Sequence, residues 1–191
     1  MHYLIVVFVF LLSGCDSALF AGSSEPAVSE SAPPLDGSFN DTDVMFLQML
    51  VPHHQQGLRL AELGRSKGRT AAVRDFAAAV VATEDDELDA VRTWLTDWNQ
   101  PIEADPDPGA HHGHGDGLHA PDPEVVTALE QTEPAKFDAT FVNLFTGHQH
   151  GAVKLAQMEL AKGRHPEARD LADRIVKSRT AQVRQMASLV G

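Results

Sequence analysis

The sequence predicts an all-α fold, an antiparallel four-helix bundle of ferritin-like type built from two repeated αα-hairpins with a long crossover between them. The first observation behind this is a repeat. Met49-Leu50-Val51-Pro52-His53-His54-Gln55-Gln56-Gly57-Leu58 recurs, 95 residues on and without a gap, as Leu144-Phe145-Thr146-Gly147-His148-Gln149-His150-Gly151-Ala152-Val153. The match continues through Gly68-Arg69 and Gly163-Arg164, Arg74-Asp75 and Arg169-Asp170, and Val80-Val81 and Ile175-Val176, and self-similarity at a fixed spacing marks one supersecondary unit written twice. The second is helical periodicity on both sides of Gly68 and Gly163, which makes each repeat a tight hairpin. The third is the stretch between them, with Pro101, Pro106, Pro108, Pro121 and Pro123 set among glycines and histidines. Two hairpins joined by so long a connection fit a ferritin-like bundle better than an up-down bundle with short loops.

The elements follow in order. Helices are expected over about residues 41–66, 70–98, 135–162 and 166–189, with Asn40, Asp41, Thr70 and Pro166 as start signals. The bundle domain is thus 41–191, made of repeat one (41–98), a His/Pro/Gly-rich crossover (99–133) and repeat two (134–191). Ahead of it, Leu4 to Leu12 is an apolar run too short to span a bilayer, as expected of a signal peptide over residues 1–14. Leu12-Ser13-Gly14-Cys15 resembles a bacterial lipoprotein processing site, although Met1-His2-Tyr3 carries no basic residue. Cys15 is the only cysteine and the expected lipidation site; residues 15–40, rich in Ser, Ala, Pro and Gly, read as a flexible tether. The expected location is the bacterial cell envelope, lipid-anchored on the extracytoplasmic face of the membrane.

A formal net charge of -12 argues against a nucleic-acid partner. The polar residues that the bundle turns inward carry the functional reading. At 100° per residue, Phe46, Leu50, Gly57 and Ala61 centre the apolar face of the first helix, with His53 and His54 flanking it. On the third predicted helix Phe141, Phe145, Ala152 and Ala156 correspond, so His148 matches His53, Gln149 matches His54, and His150 faces solvent. On the second and fourth, Glu84 and Glu87 fall on the apolar face, as do Arg179 and Gln182 at matching offsets. Folding at the two glycines brings His53 level with Glu84, and His148 level with Arg179.

The converging layer is His53, His54, His148, Glu84 and Glu87, with Arg179, Gln182, Met49 and Met186 nearby. Imidazoles and carboxylates on rigid helices suit a divalent ion, and Met thioether would tilt the preference toward copper, especially Cu(I). A closed hydrogen-bond network around a buried Glu84–Arg179 pair fits the same residue types equally well. Met45 and Met158 are expected to be boundary packing. In the crossover, His111, His112, His114 and His119, with Asp105 and Asp107 before them, form either a crude metal-capturing tract or a solvated linker.

Asp43-Val44-Met45-Phe46-Leu47-Gln48-Met49, Pro52-His53-His54-Gln55-Gln56-Gly57, Ala61 and Glu87 resemble the family known as domain of unknown function 305, over essentially residues 41–189. The resemblance implies an exported ferritin-like bundle, and metal binding, since some members hold copper through His and Met. The chain departs from the family where Leu50, Leu60, Phe145 and Leu155 replace Met, where Gln149 breaks the second histidine pair, and where Arg179 and Gln182 replace Gln and Glu. These departures bear on copper specificity, not on the fold.

A di-iron oxidase would need Glu-x-x-His on two helices, which occurs nowhere, and no Gly-x-Ser-x-Gly, phosphate loop or catalytic cysteine is present. The expectation is therefore a non-enzymatic, exported, lipid-anchored protein that sequesters or buffers a transition metal, copper first and zinc second. The alternatives are a structural or interaction domain with an inert polar core and, third, a ferritin-like metal oxidase.

Overall fold

The computed structural model describes residues 38–103 and 122–189. The signal peptide, Cys15, most of the tether, and His111, His112, His114 and His119 lie outside the described residues. Among the described residues the chain is all helical: α1 (Asp41–Lys67), α2 (Ala71–Asp97), a short α3 (Glu124–Glu130), a 3-10 turn (Pro134–Lys136), α4 (Phe137–Lys162) and α5 (Pro166–Met186). None of these helices is long and apolar enough to cross a membrane.

Each long helix begins where local chemistry satisfies its first N–H groups. Asn40 Oδ1 accepts from the backbone N–H of Thr42 and Asp43, and Asp43 Oδ2 returns a bond to the Asn40 N–H at 2.6 Å, a capping box. Thr70 Oγ1 accepts from Val73 N–H, and Pro166 opens α5 at a position whose N–H has no helical partner. Pro52 sits inside α1 and the helix runs through it. The glycines ending α1 and α4 keep negative φ, so left-handed geometry does not select them. A Cβ on Gly68 would come within 2.5 Å of the Gly64 carbonyl oxygen, and one on Gly163 within 2.0 Å of the Glu159 carboxyl.

Packing follows the repeat. α1 lies on α2, α4 on α5, and α1 on α4 across the middle. Asp138, at the start of α4, accepts from the N–H groups of Arg69 and Thr70 at the α1–α2 turn. Its repeat-mate Asp43, at the start of α1, accepts from the N–H groups of Arg164 and His165 at the α4–α5 turn. Each inner helix therefore starts beside the end of the other, and α1 and α4 run antiparallel.

The chain leaving α2 must then travel the length of α1 to begin α4 at the opposite end. Hydrogen bonds mark its course: Gln48 Nε2 donates to the Pro101 carbonyl, Gln56 Nε2 to that of Asp122, and Lys67 Nζ to that of Glu130. Near the end of this crossover α3 replaces part of the expected loop, because Val125, Val126 and Leu129 present one apolar edge and Leu129 is fully buried. The last helix also stops at Met186 instead of about residue 189, the chain continuing as a turn.

The core is divided in two. One cluster gathers Phe46, Leu50, Leu88, Val91, Leu155 and Ile175; the other gathers Leu60, Phe76, Val80, Phe141, Phe145 and Met186. Along all four long helices, the inward side chains between these clusters are polar: His53 and His54, Glu84 and Glu87, His148 and Gln149, Arg179. Met45, expected at the boundary, is instead buried, while Met158 is half-buried against the first cluster.

Candidate functional site

The polar layer gathers His53, His54 and His148 from α1 and α4, Glu84 and Glu87 from α2, and Arg179 and Gln182 from α5. His53 and His148 are each 8% exposed, His54 and Glu84 1%, and Arg179 not at all, whereas His150 is exposed as expected. The contacts run across the two hairpins as much as within them. The His53 and His148 rings stack with centroids 3.9 Å apart, so His53 packs against its own repeat-mate.

Each histidine has one ring nitrogen committed to an acceptor. His53 Nε2–H donates to the His148 carbonyl at 3.1 Å, His54 Nε2–H to Glu87 Oε2 at 2.8 Å, and His148 Nδ1–H to Gln56 Oε1 at 3.2 Å. The other nitrogens, His53 Nδ1, His54 Nδ1 and His148 Nε2, are buried without a hydrogen-bond partner among the described residues. Outer contacts of this kind fix a ring's orientation and leave its second nitrogen available, as around metal-binding histidines. Burial, with the neighbouring His54 and Arg179 charges adding to it, pushes His53 down to about 3. Burial also holds His148 well below its ordinary range. Both rings are therefore neutral at physiological pH, the state in which imidazole can ligate.

The carboxylates divide into two roles. Burial alone would raise Glu87, but the hydrogen bond from His54 and the Arg179 charge outweigh it and keep it ionised. Arg179 Nη2 forms a close ion pair with Glu87 and lies 3.5 Å from Glu84 Oε1. Glu84 is raised by its complete burial, which the positive neighbours only partly offset. Glu84 Oε1 also accepts from Gln149 Nε2 at 3.2 Å, and Gln149 Nε2 donates to Gln182 Oε1 at 2.9 Å. Glu84 Oε2 has no partner among the described residues.

Three residues take part in the layer without having been assigned a role in it from the sequence. Gln149, placed there only as the counterpart of His54, links Glu84 to Gln182; the repeat carries that signal, since His54–Glu87 and Gln149–Gln182 occupy equivalent positions. Gln56 holds His148 with one end of its amide and the crossover with the other. Its signal was its place one turn after His53. Gly57, read as part of the apolar face, gives room to the layer: a Cβ there would lie 2.1 Å from Glu84 Oε2 and 2.7 Å from His148 Nε2.

Methionine stands apart from these contacts. Met49 is half-buried against the first apolar cluster. Met186 is fully buried in the second, where its sulfur accepts from Thr146 Oγ1 at 3.7 Å. Among the described residues, no three His, Cys, Asp or Glu side chains converge on a single point that would hold a metal ion. The unpartnered ring nitrogens nevertheless provide the donor chemistry that a transition metal requires.

No curated protein matches the chain in sequence. Solved structures do match it. A DUF305 fragment from Deinococcus radiodurans is 23% identical, covers 78% of this chain and 95% of its own, and superposes with a TM-score of 0.66. A DUF305 protein from Streptomyces coelicolor is also 23% identical, covers 78% and 91%, and gives a TM-score of 0.70. CopM in its Cu(I)-bound form is 25% identical, covers 76% and 93%, with a TM-score of 0.63, and CopM has also been solved with Cu(II) and with silver. The model of the family described as a domain of unknown function (DUF305) matches residues 43–190, and the chain belongs to that family.

Proposed function

We propose that this protein binds a transition metal, copper first and zinc second, in the polar layer at the middle of the bundle, and that it does so outside the cytoplasm as a lipid-anchored protein. The observation that carries the reading is the set of three inward imidazoles, each oriented through one nitrogen and unpartnered at the other. His53, His54 and His148 would hold the ion, with Glu84 and Glu87 as further donors. CopM, 25–28% identical, is known with Cu(I) and Cu(II), which supports the same class of ion here.

The metal is cargo, sequestered or buffered, and the layer performs no catalysis. Export and anchoring rest on the apolar run before Cys15 and the lipoprotein-like Leu12-Ser13-Gly14-Cys15. His111, His112, His114 and His119 provide a second, looser capture tract in the crossover.

A second reading, an inert polar network, is favoured by the close Arg179–Glu87 ion pair and by the lack of a three-residue convergence among the described residues. Titration calorimetry of the chain with the four crossover histidines changed to alanine separates the two. Uptake of Cu(I) or Cu(II) that disappears in His53→Ala/His148→Ala supports the metal site. Uptake unaffected by that double change sinks it.

A further inference from the structure

Both tryptophans of the chain lie at one end of the bundle, the end at which the segment that starts at Cys15 enters it. Trp98, the residue closing α2, stacks on Phe39 with ring centroids 4.4 Å apart and meets the His165 ring edge-on at 4.6 Å. Trp94 tilts toward the same imidazole at 6.4 Å. Phe39 directly precedes Asn40, whose Nδ2 donates to the Lys162 carbonyl at 2.9 Å, so this ring is held beside the α4–α5 turn. All four residues are half-buried, and part of the surface of each stays open to water.

Closing the bundle does not require these rings. The opposite end carries the same caps, yet the positions 95 residues from Phe39, Trp94 and His165 hold Pro134, Leu189 and Thr70. Phenyl and indole rings left partly open suit the boundary between hydrocarbon and water, where one side of a ring is dry and the other wet. The exposed charges next to them in sequence or contact are Lys162 and Arg164 against Asp41, Asp97, Glu103 and Glu167. That balance is slightly acidic, so neutral headgroups fit it better than anionic ones.

We propose that this aromatic end is a lipid-docking surface, on which Phe39, Trp94 and Trp98 rest in the headgroup region of a zwitterionic bilayer. The occupant follows from where the chain outside the described residues joins the bundle. Residues 15–37 reach it beside Phe39 and at full extension span about 80 Å at most, so an anchor at Cys15 keeps this surface near the bilayer. A contact tethered in this way needs little affinity of its own. The inference rests on the lipid-anchored reading for what brings the surface to a membrane, and it makes no use of metal.

Cys15 is the only thiol, so the chain from Cys15 onward can be coupled through it to a maleimide-bearing lipid in phosphatidylcholine vesicles. Trp94 and Trp98, the only tryptophans, then report on this end alone. Their emission is expected to shift to the blue on coupling and to be quenched when the vesicle lipids carry bromine high on their acyl chains. Phe39→Ser is expected to lower partitioning of the uncoupled chain into the same vesicles about fivefold. A coupled parent whose emission and quenching match those of the chain without vesicles overturns the proposal before any variant is made. Equal partitioning of parent and folded Phe39→Ser overturns it as well. So does a blue shift that grows with protein concentration in the absence of lipid, which would assign this end to a second copy of the chain. Mass spectrometry of the protein from bacterial membranes tests the anchor separately: an unacylated Cys15 overturns the anchored reading, while quenching in the coupled vesicles still supports the surface.

Discussion

At the two ends of the bundle the repeats behave alike, whereas at its middle they differ. Asp43 and Asp138 each reach across to cap the other hairpin's turn, and Arg74 and Arg169 each donate to the carbonyl of the glycine ending the preceding helix. In the layer, His54–Glu87 at 2.8 Å is answered by Gln149–Gln182 at 2.9 Å: the same geometry with the charge removed. Gln56, which orients His148, is answered by Gly151, so His53 has no side chain to hold it and donates to the His148 backbone instead. The ends share these caps and part where Gly64 of the first repeat answers Glu159 of the second. The middle is free to specialise: the first repeat keeps His53, His54, Glu84 and Glu87, while the second supplies His148 and the Arg179 cation.

The sharpest way to break this contrast is to make the first repeat resemble the second. His54→Gln with Glu87→Gln strips Arg179 of its principal carboxylate and leaves a buried charge poorly compensated, which should cost about 3–5 kcal/mol in urea unfolding. The reverse change, Gln149→His with Gln182→Glu, adds a carboxyl at a half-buried position and should cost about 1 kcal/mol or less. Equal costs would mean that the asymmetry carries no energetic weight.

A pH series sharpens the contrast at the ends. Repeat one has Gly64 where repeat two has Glu159, which is fully buried beside Asp43. Burial, together with the neighbouring Asp43 carboxylate, raises Glu159 to about 8, while Asp43, accepting from three backbone N–H groups, stays below its usual range despite burial. A carboxyl raised on folding binds its proton more tightly in the native state, so its stabilising contribution is complete below 4.5 and fades as pH rises through about 8. His53 and His148 act in the opposite sense: lowered on folding, they contribute stability above 6.5 that is lost as pH falls, for His53 through about 3. Melting temperature should therefore peak between the two ranges, at about pH 6–7. Glu159→Gln should flatten the alkaline limb alone. An alkaline limb unchanged in that variant would remove Glu159 from the account.

Much of this organisation was legible in the sequence, for physical reasons that differ by element. The four helices and their turns announce themselves because Asn40, Thr70, Pro166 and the two glycines act locally and the repeat states each signal twice. The inward set His53, His54, His148, Glu84, Glu87 and Arg179 follows from 100° per residue on straight antiparallel helices. Periodicity cannot tell which inward residues touch, so the His53–His148 stack and the Arg179–Glu87 pair needed three-dimensional structure. The crossover helix was missed because seven residues are too few for a periodic signal among prolines. Met186 was given a possible ligand role because its helix face was right, but the structure sets its sulfur in the apolar cluster with Thr146.

The smallest contrast lies in two glycines that the sequence does not distinguish. Gly57 and Gly151 both sit inside helices facing the layer, and in an open helical position Ala is favoured over Gly by about 1 kcal/mol. At Gly151 a new Cβ would meet the edge of the His53 ring, Nε2 at 3.1 Å and Cδ2 at 3.8 Å, an approach the ring can relieve by a slight tilt. At Gly57 it would meet Glu84 Oε2 at 2.1 Å and His148 Nε2 at 2.7 Å, and Glu84 is tied to Gln149 while His148 is tied to Gln56. Both must move together, so Gly57→Ala should cost about 2 kcal/mol net and weaken metal uptake. Gly151→Ala should be neutral within about 0.5 kcal/mol and leave uptake intact. Thermal unfolding paired with metal titration of the two variants reads this directly. A Gly57→Ala protein as stable as Gly151→Ala, with uptake unchanged, would show that the room beside Gly57 is not needed by the layer.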